Sequence, residues 1–491
     1  MKKTPKYVLL ALALSLGGTT MAQTQQEPSG DGIWTLEEAV NYARQNNLQV
    51  QQSRITRDLN EADLKQSKFQ RLPSISANGS YSFNSGSYQS PIDYSRVTSS
   101  SQTSGFSGNA SLPLFMGFQQ TNIIKQNQLE LQASEQDVLS AQNDVIIQLV
   151  TSYLNILFAD ELIKTTAQQR DLTNQQLERN RILYNAGSIA ENAVLELESQ
   201  LASDELALIN AQNQRDIARL SLMQLLDLPT SQDFQIEVPE IPEPDQSPIL
   251  VDGDHVYEIA LQTLPAIKAA DLRVLSAAKA LDIARGAYYP RISLNAGIST
   301  NYSSIDRYLL SRETIDNGLQ PQQIGFYDAE GTEPIIVYVP DVSVNPVYGD
   351  YSFLNQLQDN IYKQASLGFS IPILNGLQVR TGVQRAKLMQ LNAQMNANIA
   401  RNNLRQTIEQ AYVDAVAAQR KYAAAKEQLR AAEKNYRNAE IRLNNGVINT
   451  VEFNVIANTF RAAQSNLLQA KYEYTFKQKV LDFYQGKDLS F

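Results

Sequence analysis

From Ser74 to Asn84 apolar and polar residues alternate without a lapse. Ile75, Ala77, Gly79, Tyr81 and Phe83 take one side, and Ser74, Ser76, Asn78, Ser80, Ser82 and Asn84 the other. Such a period of two predicts a strand with one apolar and one polar face. Phe106, Gly108, Ala110, Leu112 and Leu114 repeat the pattern, as do Ile292, Leu294, Ala296 and Ile298, and Ala365, Leu367, Phe369, Ile371 and Ile373. Four strands of about ten residues have the length of transmembrane β-strands, ~9–11 residues. Their polar faces of Ser, Asn and Gly carry no charge, which suits a wet lumen better than the surface of a soluble sandwich. Four strands cannot close a barrel alone, since single-chain barrels begin at about eight. A barrel built from them must be shared, with eight strands from two copies or twelve from three.

Between the strands the period changes to that of helices. Thr35-Leu36-Glu37-Glu38 reads as a capping box, opening a helix that runs, with an irregularity at Asn46-Asn47, to about Arg71, where Leu72-Pro73 stops it. A much longer helix is predicted from Gln119 to Tyr184, on the order of 100 Å at ~1.5 Å per residue. Its apolar residues recur by sevens (Leu131, Val138, Val145, then Leu149, Ile156, Ile163), the mark of coiled-coil packing. A turn at Asn185-Ala186-Gly187 leads to a returning helix, Asn192 to Leu226. A second set follows: a helix from Asp254 to Tyr289, a long helix from Leu377 to Asn444, a turn at Gly446, and a return to about Tyr484. In each set two shorter helices are expected to stack end to end beside one long partner.

The two sets are copies. Ser111-Leu-Pro-Leu-Phe-Met-Gly117 lines up with Ser370-Ile-Pro-Ile-Leu-Asn-Gly376, and Gly187 falls on Gly446, all at an offset of 259 residues. LPSISANGSYSF from Leu72 matches YPRISLNAGIST from Tyr289 at an offset of 217. A unit this long is a duplicated half rather than a solenoid repeat of ~20–50 residues. The organisation predicted is residues 23–226, a proline-rich linker 227–253, a second repeat 254–484 and a tail 485–491. The growth in offset places 42 extra residues between the third and fourth strands. That segment, about 304–360, holds nine acids against Arg307 and Arg312 and is expected to be a long loop outside the cell.

The ends and the composition narrow the class. Lys2, Lys3 and Lys6, the apolar run Val8–Leu16 and Thr20-Met21-Ala22 form a secretory signal over residues 1–22. That run is too short to span a bilayer as a helix. Removing it takes three lysines and moves the formal charge from −9 to −12, and no concentrated basic footprint for nucleic acid remains. Cysteine is absent, excluding disulfides and thiolate metal sites. His255, the only histidine, sits at a helix start and is read as a surface residue, so no metal or cofactor is expected. No nucleophile-elbow, zinc-protease, P-loop or dinucleotide fingerprint occurs, so the chain is not read as an enzyme. The rival from another class is a non-conducting coiled-coil tether across the periplasm, or a surface fibre.

The ordered set of segments resembles the outer-membrane efflux proteins of the TolC type. WTLEEAVNYARQNNLQV is similar to that family's opening helix, SLPLFMGFQQ and FSIPILNGLQVR to its strand-to-helix joints, and LYNAGSIAENAVLELESQ and LNNGVINTVEFNVIANTF to its periplasmic tips. The resemblance implies an α+β membrane protein, a trimer with a 12-stranded β-barrel (four strands per protomer) in the outer membrane, continued by an α-helical coiled-coil barrel across the periplasm. It implies a periplasmic adaptor and an inner-membrane pump, of the RND or ABC type, as partners. Adaptor docking would fall at Ala186, Gly187, Ser188, Asn445, Gly446 and Val447, and the entrance would be lined by Glu191, Glu196, Asn449, Glu452 and Val455. The family's latch is mostly unmatched here. Glu452 is retained, but Leu443, Ile448 and Val455 stand where an aromatic, a basic and an acidic residue are expected, and Ala193 where an acid is common.

Overall fold

The computed structural model describes residues 33–89, 94–229, 234–239, 243, 253–327, 331, 334–448 and 450–487. The signal segment, most of the linker and Asn449 lie outside the described residues. The first half runs β1 (Ile33–Trp34), α1 (Leu36–Asn46), α2 (Leu48–Phe69), β2 (Ser74–Gln89), β3 (Arg96–Met116), α3 (Gln119–Asn185) and α4 (Glu191–Leu225). After β4 (Gln235–Ile236) come α5 (Gly253–Thr263), α6 (Pro265–Gly286), β5 (Arg291–Ser303), β6 (Arg307–Phe326), β7 (Pro334–Asp350), α7 (Phe353–Asp359), β8 (Tyr362–Ser370), α8 (Gln378–Asn444) and α9 (Thr450–Tyr484).

The capping box is present: Glu38 N–H donates to Thr35 Oγ1 and Thr35 N–H to Glu38 Oε2, each at 3.1 Å. The irregularity at Asn47 is a break, where Asn47 Oδ1 caps α2 by accepting from Gln49 N–H at 2.9 Å. The helix expected from Asp254 to Tyr289 is broken as well. Pro265 opens α6 at its first turn and Leu264 turns extended, at φ −70 and ψ 130. A proline has no N–H for the preceding turn and suits a first helical position. Leu264 stands 217 residues after Asn47, so the copies place one kink by two chemistries, a side-chain cap and a proline.

The long helices α3 and α8 have 67 residues each. Each follows a pair of left-handed residues, Gly117 and Phe118 (φ 58 and 61) or Gly376 and Leu377 (φ 57 and 65), which turn the chain from strand into helix. α2 and α4 both lie along α3. Their ends meet where Asn47 Nδ2 donates to the Leu225 carbonyl at 2.8 Å. α6 packs between α3 and α8 and is tied by ion pairs to both, Arg273 with Asp137 and Arg401 with Asp271.

The seam of α8 is a heptad of alanines, Ala411, Ala418, Ala425, Ala432 and Ala439, all buried. The equivalent positions of α3 are Ser152, Ala159, Thr166, Thr173 and Asn180. The α8 seam is thus uniformly alanine, whereas the matching α3 positions are polar except for Ala159. At the second hairpin Ala432 and Ala463 are both buried. At the matching positions of the first, Thr173 Oγ1 donates to Asp204 Oδ2 at 2.6 Å, and Gln200 Nε2 donates to Asp204 Oδ1 at 2.7 Å.

The largest core lies at the helix break of the first half, where α9 of the second half joins it, while the break at Leu264 packs in a separate cluster with Val256, Ala260 and Ile408. Trp34, Ala39, Val50, Val145, Leu149, Ile156, Leu222, Phe234 and Phe476 pack in the larger one. By length and composition α3 could cross a membrane. Its most buried stretch, Val145 to Ala159, is spent on this core instead. The Tyr153 hydroxyl, donating to the Glu237 carbonyl, ties the core to the parallel β1–β4 pair. Burial first, and the Glu237 charge second, push its pKa upward, so it stays a donor.

The four expected strands form one antiparallel sheet in the order β2-β3-β5-β8, and three are longer than predicted, with β3 reaching 21 residues. β8 ends at Ser370, so Ile371 and Ile373 lie beyond it and do not share its apolar face. Pro113 falls at a β-bulge of β3, where a ladder donor is dispensable. The expected outer loop is corrected too: β6 and β7, of 20 and 17 residues, form a separate hairpin, and α7 follows it. Alternation is hidden in this segment because the register shifts at Leu309/Ser311, Asp316/Leu319 and Gln323/Gly325. Its four prolines, Pro321, Pro334, Pro340 and Pro346, all occupy rungs of one parity of β7.

Candidate functional site: sheet faces and helical tips

The register brings the alternating residues of all four strands onto common faces. Ile75, Ala110, Ala296 and Ala365 form one row, Ala77, Gly108, Ile298 and Lys363 another, and Leu112, Leu294 and Leu367 a third. Ser74, Ser111, Asn295 and Ser366 make a row of the opposite face, where Ser111 Oγ donates to Asn295 Oδ1 at 2.9 Å. One face is therefore aliphatic and the other a lattice of small hydrogen-bonding groups.

Aromatic clusters mark both ends of this sheet. At the helical end Phe118 packs between Phe115 and Tyr289, with ring centroids 5.2 and 6.3 Å away. At the far end Tyr302 meets Phe353 at 4.9 Å and Tyr308 meets Tyr351 at 5.7 Å. The outer edges of β2 and β8 have no strand partner among the described residues.

The opposite end of the molecule is the pair of helical tips. Ala186 caps α3, Gly187 is left-handed at φ 73, and Ser188 N–H donates to the Leu183 carbonyl at 2.9 Å. Asn445, Gly446 (φ 69) and Val447 repeat the motif, with Val447 N–H on the Arg442 carbonyl at 2.8 Å. A glycine after the helix end accepts this conformation without a Cβ penalty. All six residues are exposed.

Charge at the tips is arranged within each hairpin. Arg181 bridges Glu178 at 2.9 Å and Glu198 at 2.8 Å. These hydrogen bonds, Glu198 foremost, hold the Arg181 guanidinium above its ordinary pKa. Glu191 and Glu196 are exposed on α4, and Val455 on α9. Glu452 sits 3.6 Å from Arg442. The cation thus comes from the helix before the turn, whereas Ile448, the position expected to be basic, is buried. The spacing of Arg442 and Glu452 across Gly446 was the available signal, visible only once the turn is folded. No cluster of metal-binding side chains occurs among the described residues.

The family model for outer membrane efflux proteins matches residues 39–227 and 256–487. No curated protein matches the chain. Among solved structures, the Campylobacter jejuni outer membrane channel CmeC is similar at 17% identity and a TM-score of 0.66, over 93% of this chain and 87% of its own. CusC matches at 16% identity and a TM-score of 0.68, over 95% of this chain and 96% of its own. VceC, an outer membrane protein of Vibrio cholerae, matches at 15% and 0.68, over 93% and 97%. At such identities the likeness is one of fold.

Proposed function

The chain belongs to the outer membrane efflux protein family, and from that premise we propose that three copies close a twelve-stranded barrel over a helical tunnel and act as the exit duct of a tripartite efflux or type I secretion system. An inner-membrane pump and a periplasmic adaptor would feed it. The observation that carries this reading is the four-stranded sheet, apolar on one exposed face, polar on the other, and unpaired at β2 and β8. Ile292 and Tyr302 are ten residues apart, which on a strand tilted ~35–45° spans about 25 Å, the height of an outer-membrane apolar band. The aromatic clusters then take the two membrane interfaces. Residues 23–226 and 254–484 serve as paired staves joined by 227–253.

The duplication supports a specific interface. Phe118 packs on Tyr289 within the chain. Their counterparts by the repeat are Leu377 and Leu72, which are 61% and 57% exposed. In a ring of three, Leu377 of one protomer meets Leu72 of the next, a head-to-tail contact that closes by rotation. Because the chain has no cysteine, the pair Leu72→Cys and Leu377→Cys with a short bismaleimide is expected to give linked dimers and trimers, and neither single variant should. Monomer alone from the double variant would overturn this packing.

Adaptor docking is assigned to Ala186, Gly187, Ser188, Asn445, Gly446 and Val447, and the entrance to Glu191, Glu196, Asn449, Glu452 and Val455. In planar bilayers the purified chain is expected to conduct ions with cation preference, and Glu452→Gln to lower that preference. A protein that conducts nothing is the tether or fibre of the rival reading; unchanged selectivity in the variant removes Glu452 from the entrance.

A further inference from the structure

α7 lies across the apolar face of the sheet. Thr300 Oγ1 donates to the Leu357 carbonyl at 2.6 Å, and Tyr302 packs on Phe353. Both residues share the strand parity of Ala296 and Ile298. The buried Gln356 side chain fixes the helix, accepting from Ser303 N–H at 2.9 Å and donating to the Ser303 and Tyr351 carbonyls at 3.0 and 2.9 Å. Beneath α7 a groove of about 490 Å³ remains, lined by Ala77, Gly79, Phe106, Gly108, Ile298 and Leu357, with Ile361 at its rim. Two missing side chains hollow it. A Cβ at Gly79 would reach 3.3 Å from the Phe106 ring, and one at Gly108 3.3 Å from an Ile298 methyl.

Beside this groove stands Lys363, directly across from Ile298 in the ladder. In the rows of that face from Ile292 to Thr300, Lys363 is the one charged side chain among the described residues. A lysine on a lipid-facing strand is costly at mid-membrane and tolerated near an interface, where its stem reaches toward headgroups. α7 presents Leu354 outward, 73% exposed, beside the Tyr302–Phe353 pair of the outer aromatic cluster, as an interfacial helix does.

We propose that this groove holds an acyl chain of an anionic outer-leaflet lipid whose phosphate rests on the Lys363 ammonium. The inference rests on the membrane placement given above and adds a defined lipid site to it. Apolar lining selects the chain, the lone cation selects the headgroup charge, and the face position leaves the site open after β2 and β8 pair with neighbours.

The single tryptophan, Trp34, is buried in the helical core, so the sheet carries no indole of its own. An Ile361→Trp reporter in the full chain, reconstituted with acyl-brominated phosphatidylglycerol or phosphatidylcholine, reads the rim of the groove directly. Quenching is expected to show about fivefold preference for the anionic lipid, the effect of roughly one lysine near a membrane surface. The preference should fall to about one in Lys363→Gln, and also in Ala77→Phe, which fills the groove but keeps the charge. A preference that is absent, or that survives Lys363→Gln, overturns the site. Ion conductance measured on the same preparations separates the two levels: a conducting channel without lipid preference loses only this inference, whereas neither conductance nor quenching by either lipid removes the membrane placement beneath it.

Discussion

Gly117→Ala is expected to remove nearly all folded channel from the membrane fraction, while Gly376→Ala, the same change at the equivalent joint, leaves most of it. At Gly117 a Cβ would stand 2.2 Å from the Gly286 carbonyl oxygen and 2.8 Å from Tyr289 Cβ. The first obstacle is backbone, so no rotamer relieves it. The residue is also left-handed at φ 58, which costs an L-residue with a Cβ ~1–2 kcal/mol. Overpacking adds about 1–3 kcal/mol or more, and the sum is a large part of the ~5–15 kcal/mol that keeps a domain folded. Gly376 has the same φ but nothing within 4 Å of its Cβ position, so only the conformational cost remains. The residue equivalent to Gly286 in the other half is Phe69, so a neighbouring protomer does not reproduce the glycine-to-glycine approach. Heat-resistant oligomer in outer-membrane extracts measures both variants; wild-type yield from Gly117→Ala would mean that the strand-to-helix joint is not the close contact described.

Thr173→Ala should loosen the first hairpin far more than its small volume suggests, and adding Asp204→Ala should restore much of the loss. The single change removes the hydroxyl donor from an acid that is 7% exposed. A hydrogen bond to a charged group contributes ~1.5–3 kcal/mol, and about 2 kcal/mol corresponds to roughly thirtyfold faster local opening. Amide exchange over residues 165–205 would report it. The double variant copies the other hairpin, where Ala432 and Ala463 pack at the same positions. It leaves no stranded acid, and the two changes should couple strongly and non-additively. Equal exchange in the single and double variants would show that the Thr173–Asp204 contact does not hold α3 to α4.

Elements with an unbroken period were legible from sequence. The four sheet strands, both long helices and both tip turns declared themselves, because nothing in Ser74–Asn84 or Gln119–Asn185 contradicts its own pattern. What stayed hidden depended on partners distant in the chain. Gly286 reads as an ordinary helix end until Gly117 is set against it. Arg442 looks like one of many surface cations until the turn at Gly446 brings Glu452 alongside. The alanine seam of α8 carries too little hydrophobicity to stand out, although its spacing by seven was present. In β6 and β7 three register shifts scatter a period that the folded ladder repairs. Pro265 sits inside an otherwise helical pattern, yet it marks the kink that Asn47 marks in the other half.

The distribution of proline over strand edges has a consequence for how copies recognise one another. β2 and β8 contain none, so every rung of their outer edges offers a donor to a neighbour. β6 and β7 carry Pro321, Pro334, Pro340 and Pro346, all on one parity, the arrangement compatible with a hairpin whose prolines turn outward. Three such hairpins, each long enough to exchange strands with the next, would be brought close whenever three protomers gather. Lacking amide protons at those positions, they cannot complete an exchanged ladder. In the ring proposed above, assembly would thereby be channelled to the free edges of β2 and β8, and subunits would find their partners without becoming entangled by their outermost arms.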